Sequence, residues 1–310
     1  MQIKIAKYGQ YDSYESSFLP LLIESLGYKI RWASMDHCDL LIKGSFKRAR
    51  PAFKWLPRPM RSTADQLTNT FFNKRSPLTL FHTSENIRND EFDADYFLSF
   101  DMPLSGNQFR LPFWMEFLDW SREGLTGNTN PRFGRLLSVN ELLRPLGNSF
   151  LSRERKAVMF SSHLRGPRRG VYEGLSAIMP VDGMGPIFDH SIVDHNHSSF
   201  TKESVLKSYA FNLCPENGLY PGYYTEKIPE AFAAGALPVA WTDSNVQMDF
   251  NPRAFINLQP YAYEQYQTPL NMLLDQQYLN SFCDQPLLLE TPTLDPLKEF
   301  MREILRSASS

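Results

Sequence analysis

FNLCPENGLYPGYYTEKIPEAFAAGALPVAW, running from Phe211 to Trp241, is the stretch that decides the fold. Phe211, Leu213 and Cys214 close a short apolar run, and PENGLYPG is dense in turn formers. Thr225 stands at an N-cap position, followed by Glu226 in the first helical turn, where a carboxylate suits the macrodipole. Pro229 at the edge of that turn forfeits about one intrahelical bond at most. Gly235 supplies the stop at C′, and LPVAW reads as a buried strand. Strand, polar loop, helix and strand in such short order make half of a parallel α/β sheet. In open α/β sheets ligands bind beyond the carboxyl ends of the strands, and helix N-termini suit phosphates.

Upstream, Lys156 to Ser161 (KAVMFS) reads as a strand and Arg168 to Ile178 as a helix with Tyr172, Leu175 and Ile178 on one face. Gly166-Pro167 leads into that helix, so Arg168 and Arg169 fall in its first turn. Cations there oppose the macrodipole unless an anion absorbs them, as a diphosphate would; two solvated arginines are the plainer reading. A short helix at Val139 to Arg144 and a hinge at Leu146 to Ser152 precede this half.

The N-terminal half opens with a strand at Ile3 to Ala6 and an amphipathic helix at Phe18 to Leu26. Strands follow at Lys29 to Ala33, Asp39 to Ile42, Leu78 to His82 and Tyr96 to Phe100. Glu85 lies just past Leu78 to His82, in Thr83-Ser84-Glu85-Asn86. It is either a turn carboxylate or one facing an interdomain cleft. Lys47 to Arg61 is a basic, proline-broken loop whose aromatic anchors Phe53 and Trp55 tuck into the core, or whose Trp55 stacks on a sugar face.

Two metal-like patterns carry little. Asp93-Ala94-Asp95 precedes a strand, whereas the D-x-D of metal-dependent glycosyltransferases follows one. His190, His195 and His197 lie in a polar segment with no cysteine near, and a surface loop is the better reading than a half-site. Downstream, Ala262 to Asn280 reads as helical. Leu294 to Arg306 is amphipathic, with Leu297, Phe300, Met301, Ile304 and Leu305 on one face.

A net charge of −2 gives no field to attract nucleic acid. Three scattered cysteines, with no C-x-x-C, argue against a disulfide framework and for a reducing compartment. No apolar run approaches the ~18 residues of a membrane span, and MQIKIAKYG lacks the apolar core of a signal peptide.

The 211–241 stretch resembles the donor-binding signature of the α1,3/α1,4-fucosyltransferases, glycosyltransferase family 10. The residues that carry it are Glu216-Asn217, Tyr223, Thr225-Glu226-Lys227 and Leu237-Pro238-Val239. Pro215, Gly218 and Thr242 depart from the family pattern. The TSEN segment with Asp95-Tyr96, Phe100-Asp101 and Arg110-Leu111-Pro112 is similar to a second family stretch, with Ser84 in place of the usual glycine. FNPRAFINL, Phe250 to Leu258, resembles the segment that closes the donor domain.

The resemblance implies a GT-B-like α/β fold, two facing Rossmann-like domains with a cleft between them. The expected division is an acceptor-side domain at 1–150, a donor domain at 151–290 and a C-terminal helix at 291–310. It implies inverting transfer of L-fucose from GDP-β-L-fucose to an N-acetylglucosamine-containing oligosaccharide or glycolipid, in α1,3 or α1,4 linkage, as in lipopolysaccharide O-antigen. Glu85 would be the catalytic base, and Arg168, Asn217, Tyr223, Glu226 and Lys227 would bind the donor. No metal is required, with Mn2+ or Mg2+ as stimulants. The expected setting is the bacterial cytoplasm, with peripheral membrane association and no nucleic-acid partner. Two other readings stay open: a GT-B transferase using another nucleotide sugar, and a non-catalytic sugar-binding relative.

Overall fold

The computed structural model describes residues 1–46, 76–188, 201–261 and 265–309. In chain order the strands are β1 (Gln2–Tyr8), β2 (Lys29–Trp32), β3 (Leu40–Lys43), β4 (Leu78–His82), β5 (Tyr96–Ser99), β6 (Gln108–Arg110), β7 (Ala157–Phe160), β8 (Val181–Met184), β9 (Phe211–Pro215), β10 (Leu237–Trp241) and β11 (Ile256–Asn257). The helices that bear on the site and its support are α1 (Phe18–Ser25), α2 (Pro167–Ser176), α3 (Lys202–Leu206), α4 (Lys227–Ala233) and α5 (Asp295–Ser309).

The described strands build two parallel sheets, ordered β2-β1-β3-β4-β5-β6 and β11-β10-β9-β7-β8. Each places its first strand between its second and third. Each therefore has one point where the winding reverses, at β1/β3 and at β7/β9, and in such sheets that point is where ligands are received.

The second sheet shows why its sequence is so apolar. All five residues of β9 and the first four of β10 are buried, as expected of parallel strands covered on both faces. Pro238 is tolerated because of register. The Leu237 N–H points to β9, where Ala210 O accepts it at 2.9 Å. The next nitrogen faces the other side, and the first rung with β11 is Val239 to Ile256. No ladder bond is missing at the proline.

By packing, the chain divides into two units. One is Met1–Ser99 with Pro103–Arg110 and Asp295–Ser310; the other is Phe100–Met102 with Leu111–Leu294. The boundary between the two packing units thus falls near 110. The stretch between carries few regular elements, but Trp114, Trp120, Phe133, Leu137 and Leu142 are buried. Its polar groups bond to later parts of the second unit: Trp114 Nε1 to Asp249 Oδ2 at 3.2 Å, and Leu146 N–H to Gln285 O at 3.1 Å.

The C-terminal helix is not a separate tail. On α5, Leu297, Phe300, Met301, Ile304 and Leu305 are buried, and the Phe300 ring lies 5.9 Å from Tyr96 and 5.3 Å from Phe109 in β5 and β6. Fully burying a side chain of this size contributes about 1.5–3 kcal/mol.

The helix expected over 262–280 is interrupted. Its described part is a helix at Gln267–Asn271, a 3-10 turn at Met272–Leu274 and a second helix at Gln276–Asn280. Asp275 causes the break, its carboxylate accepting the Gln277 and Tyr278 N–H groups as an N-cap. The Lys47–Arg61 loop with Phe53 and Trp55, and His190, His195 and His197, lie outside the described residues.

Candidate active site

In the second unit, β7 ends at Phe160 and the chain turns through Ser161 to His163 before entering α2. Arg168 sits in the first turn of α2 and is buried. Its Nη1 donates to Ser161 Oγ at 3.0 Å and lies 3.2 Å from His163 Nε2, while Nη2 donates to Asn217 Oδ1. Burial lowers the guanidinium from its usual range, and Glu216, Tyr223 and Glu226 pull it back up. An arginine stays charged under such shifts.

Burial separates Arg168 from its neighbours. Arg169 is exposed and paired with Glu173 at 3.6 Å, and Arg165 is exposed. Of Arg165, Arg168 and Arg169, Arg168 is the one built into the sheet edge.

Asn217 follows β9, so the Arg168–Asn217 hydrogen bond spans the β7/β9 reversal. Asn217 is itself exposed, whereas the preceding Glu216 is fully buried. Glu216 N–H bonds to Trp241 O at 3.0 Å, which fixes it where β9 and β10 end.

The start of α4 differs from expectation. Glu226 occupies the N-cap position and the helix begins at Lys227. Thr225 is no cap because Glu216 claims it: the Thr225 N–H donates to Glu216 Oε1 at 2.9 Å and its hydroxyl to the same oxygen at 2.8 Å. Lys227 Nζ is 2.8 Å from Glu216 Oε2 and 2.6 Å from Thr225 Oγ1. Burial would lower the ammonium, but Glu216 and Glu226 outweigh it and raise it.

The Glu226 carboxylate is hydrogen-bonded by its own backbone N–H. Desolvation favours its protonation, yet Lys227, Lys202 and Arg132 overcome this and hold its pKa down to about 2. Tyr223 is buried with its ring 5.0 Å from Phe100, edge to face, so its aromatic body is committed to packing.

A second buried pair supports this helix from below. Lys202 in α3 meets Glu230 in α4 at 2.5 Å, and Asn130 Nδ2 donates to the other Glu230 oxygen at 2.9 Å. The Phe160 ring lies 5.4 Å from the Lys202 ammonium. The sequence reading passed over these residues. Their one signal is a charged residue inside the otherwise apolar run IPEAFAAG.

In the first unit, β4 ends at His82, and Glu85 follows in a bend. The Glu85 N–H donates to Thr83 Oγ1 at 3.1 Å, and Thr83 Oγ1 donates to Ser45 Oγ at 3.0 Å. His82 anchors the strand end, with Tyr14 Oη at 2.8 Å from Nδ1 and Gln10 Nε2 donating to its carbonyl at 2.9 Å. Among the described residues nothing bonds to the Glu85 carboxylate. Asp95, by contrast, is a latch between β4 and β5, its Oδ2 accepting both the N–H and the hydroxyl of Thr79 at 2.8 Å.

The structure therefore gathers Arg168, Asn217, Glu226 and Lys227 at one sheet edge of the second unit, with Tyr223 packed behind, and sets Glu85 on a strand end of the first. A cluster of one buried and one half-buried cation, an exposed amide and an ionised carboxylate has the chemistry to hold an anionic, hydroxyl-bearing ligand.

Residues 150–282 match the glycosyltransferase family 10 (fucosyltransferase) C-terminal domain, which is the half where the resemblance read from the sequence is strongest. The chain is 26% identical over 262 residues to the alpha-(1,3)-fucosyltransferase FucT of Helicobacter pylori; the match takes in 74% of this chain and 53% of that protein. The chain thus spans about half the length of this curated relative. Among solved structures, an α1,3-fucosyltransferase superposes with a TM-score of 0.68 at 22% identity, over 98% of this chain and 90% of the other. A crystal structure of an α1,3-fucosyltransferase with GDP-fucose gives 0.66 at 20% identity, with the same coverage. The fold is that of these transferases. Among the described residues no helix is long and apolar enough to cross a membrane.

Proposed function

We propose that the chain is a fucosyltransferase that moves L-fucose from GDP-β-L-fucose to a hydroxyl of an N-acetylglucosamine-containing glycan, with inversion at the anomeric carbon. The observation that carries this reading is the Arg168–Asn217 hydrogen bond across the β7/β9 reversal, with Lys227 fixed at the adjoining helix start.

In this reading the acceptor oxygen attacks the anomeric carbon from the face opposite the diphosphate. The bond from that carbon to the phosphate oxygen breaks, and its electron pair leaves with GDP. Arg168 and Lys227 meet the charge that develops on the leaving group, which is where fixed cations lower a barrier most. Glu85 takes the acceptor's proton, and a carboxylate to which nothing bonds among the described residues suits a base. Asn217 and Glu226 orient the nucleotide, the ionised Glu226 being matched to ribose hydroxyls. Tyr223 supports the loop through its ring. With two protein cations on the diphosphate the reaction proceeds without a metal, and Mn2+ or Mg2+ only stimulates it.

Calorimetric binding of GDP against UDP, without added metal, tests the donor class. Transfer from GDP-fucose to N-acetyllactosamine then tests the reaction. GDP-selective binding followed by a fucosylated product is the expected result. A preference for UDP, or GDP binding with no transfer to any acceptor offered, overturns it.

A further inference from the structure

Consecutive residues hold the two cations assigned to the diphosphate, and they hold them differently. Asn217 accepts from Arg168 through a neutral amide oxygen, and Glu216 and Glu226 act on the guanidinium only from a distance. Glu216 answers Lys227 with a full negative charge at 2.8 Å, in a pair whose side chains are 1% and 17% exposed.

Glu216 is also unable to swing aside. Its carboxylate accepts the Thr225 N–H and hydroxyl, and its own N–H is tied to Trp241. An anion reaching Lys227 must therefore share the ammonium with a carboxylate that stays in place.

We propose that Glu216 is a positioning residue that holds Lys227 at the phosphate site and tempers its pull on the diphosphate, so that GDP leaves after transfer. This rests on the reading of Lys227 as a diphosphate ligand. Removing one partner of a buried pair leaves the other charge unpaired. Deleting the carboxylate charge should thus cost the nucleotide-free protein stability and favour any anion able to pair with the ammonium. A residue that served only to brace the loop would act in the opposite direction, since a slackened loop binds nucleotide less well.

The test is calorimetric GDP binding at one fixed salt concentration, for the wild type, E216Q, K227A and the double variant, with melting curves taken alongside. E216Q should melt lower without nucleotide, bind GDP roughly tenfold tighter and turn over more slowly as GDP release becomes limiting. In the K227A background the same substitution should leave GDP affinity unchanged. E216D, which retains the charge at a longer reach, should fall between wild type and E216Q, and carries the test if E216Q does not fold. Weaker or unchanged GDP binding in a cooperatively melting E216Q or E216D, or an equal change with and without Lys227, overturns the inference alone. K227A with unaltered GDP affinity removes the diphosphate reading itself, and the inference with it.

Discussion

Lys202 and Glu230 form a 2.5 Å ion pair with side-chain exposures of 4% and 1%, and it joins α3 to α4 beneath the candidate site. Such a pair need not be a net stabiliser, but breaking it from one side strands a charge in the interior. K202M should therefore destabilise the second unit by about 3–5 kcal/mol. The double variant K202M/E230L should recover most of that loss. Urea unfolding of the three proteins checks this, and a single variant within about 1 kcal/mol of wild type would refute the account.

Arg168 and Arg169 are adjacent, yet only the first is buried and bonded to Ser161 and Asn217. R168A should weaken GDP binding by about 1.5–3 kcal/mol, the value of a charge-assisted hydrogen bond. R168K should recover little, because one ammonium cannot reproduce a planar fork that reaches two partners. R169A should bind GDP as the wild type does. Equal losses in R168A and R169A would mean a diffuse basic patch instead of a built site.

How far the sequence reads through to this site depends on the range of the physics involved. Strands β9 and β10 and the stop at Gly235 follow from local pattern, and Gly235 does take a positive φ of 70°. Arg168, Glu226 and Lys227 fall at helix starts, while Asn217 stands out through the family resemblance alone. What the chain does not display locally is partnership. Glu216 reaches nine residues along to claim Thr225, and that displaced the expected N-cap. Asn130 and Lys202 meet Glu230 from 100 and 28 residues away, so no window of sequence shows them together. The boundary near 110 was hidden for the same reason, since the loops at 111–150 are defined by distant contacts and not by periodicity.

Glu85 is placed to test the chemistry apart from binding. E85Q and E85A should abolish transfer, while GDP affinity stays within about twofold of wild type, because a base acts on the acceptor proton. Single-turnover transfer and calorimetry separate the two. A parallel collapse of GDP affinity would remove Glu85 from the role of base.

Glu226 gives a pH signature. Its folded pKa of about 2 lies below the ordinary 4.5, so its ionised form contributes stability that is full above pH 4.5 and is lost as pH falls from there towards 2. Glu230 runs the other way: burial raises its carboxyl above 4.5, so its contribution is full below 4.5 and fades as pH rises through the folded value. The stability gap between wild type and E226Q should therefore narrow as pH falls from 4.5 to 2. Denaturant titrations at closely spaced acid pH values test this, and a constant gap would contradict it.

Gly185 links backbone geometry to the site. It adopts φ +107°, and a Cβ there would come within 2.4 Å of Ser161 O, the residue whose hydroxyl receives Arg168. G185A should cost about 1–3 kcal/mol in stability and also weaken GDP binding as Ser161 shifts. Thermal melts and calorimetry check both, and a variant destabilised with full GDP affinity would break the link.

The packing of α5 against β5 and β6 also bears on how the protein is made. A chain emerging from the ribosome presents the strands of the first unit early, yet the helix that covers Tyr96 and Phe109 is synthesised long after them. The second unit, almost continuous from Leu111 to Leu294, is complete before that helix appears. The first unit therefore cannot complete its packing until the residues from Asp295 onward have been made. Until α5 is made, Tyr96 and Phe109 lack the ring of Phe300 that covers them.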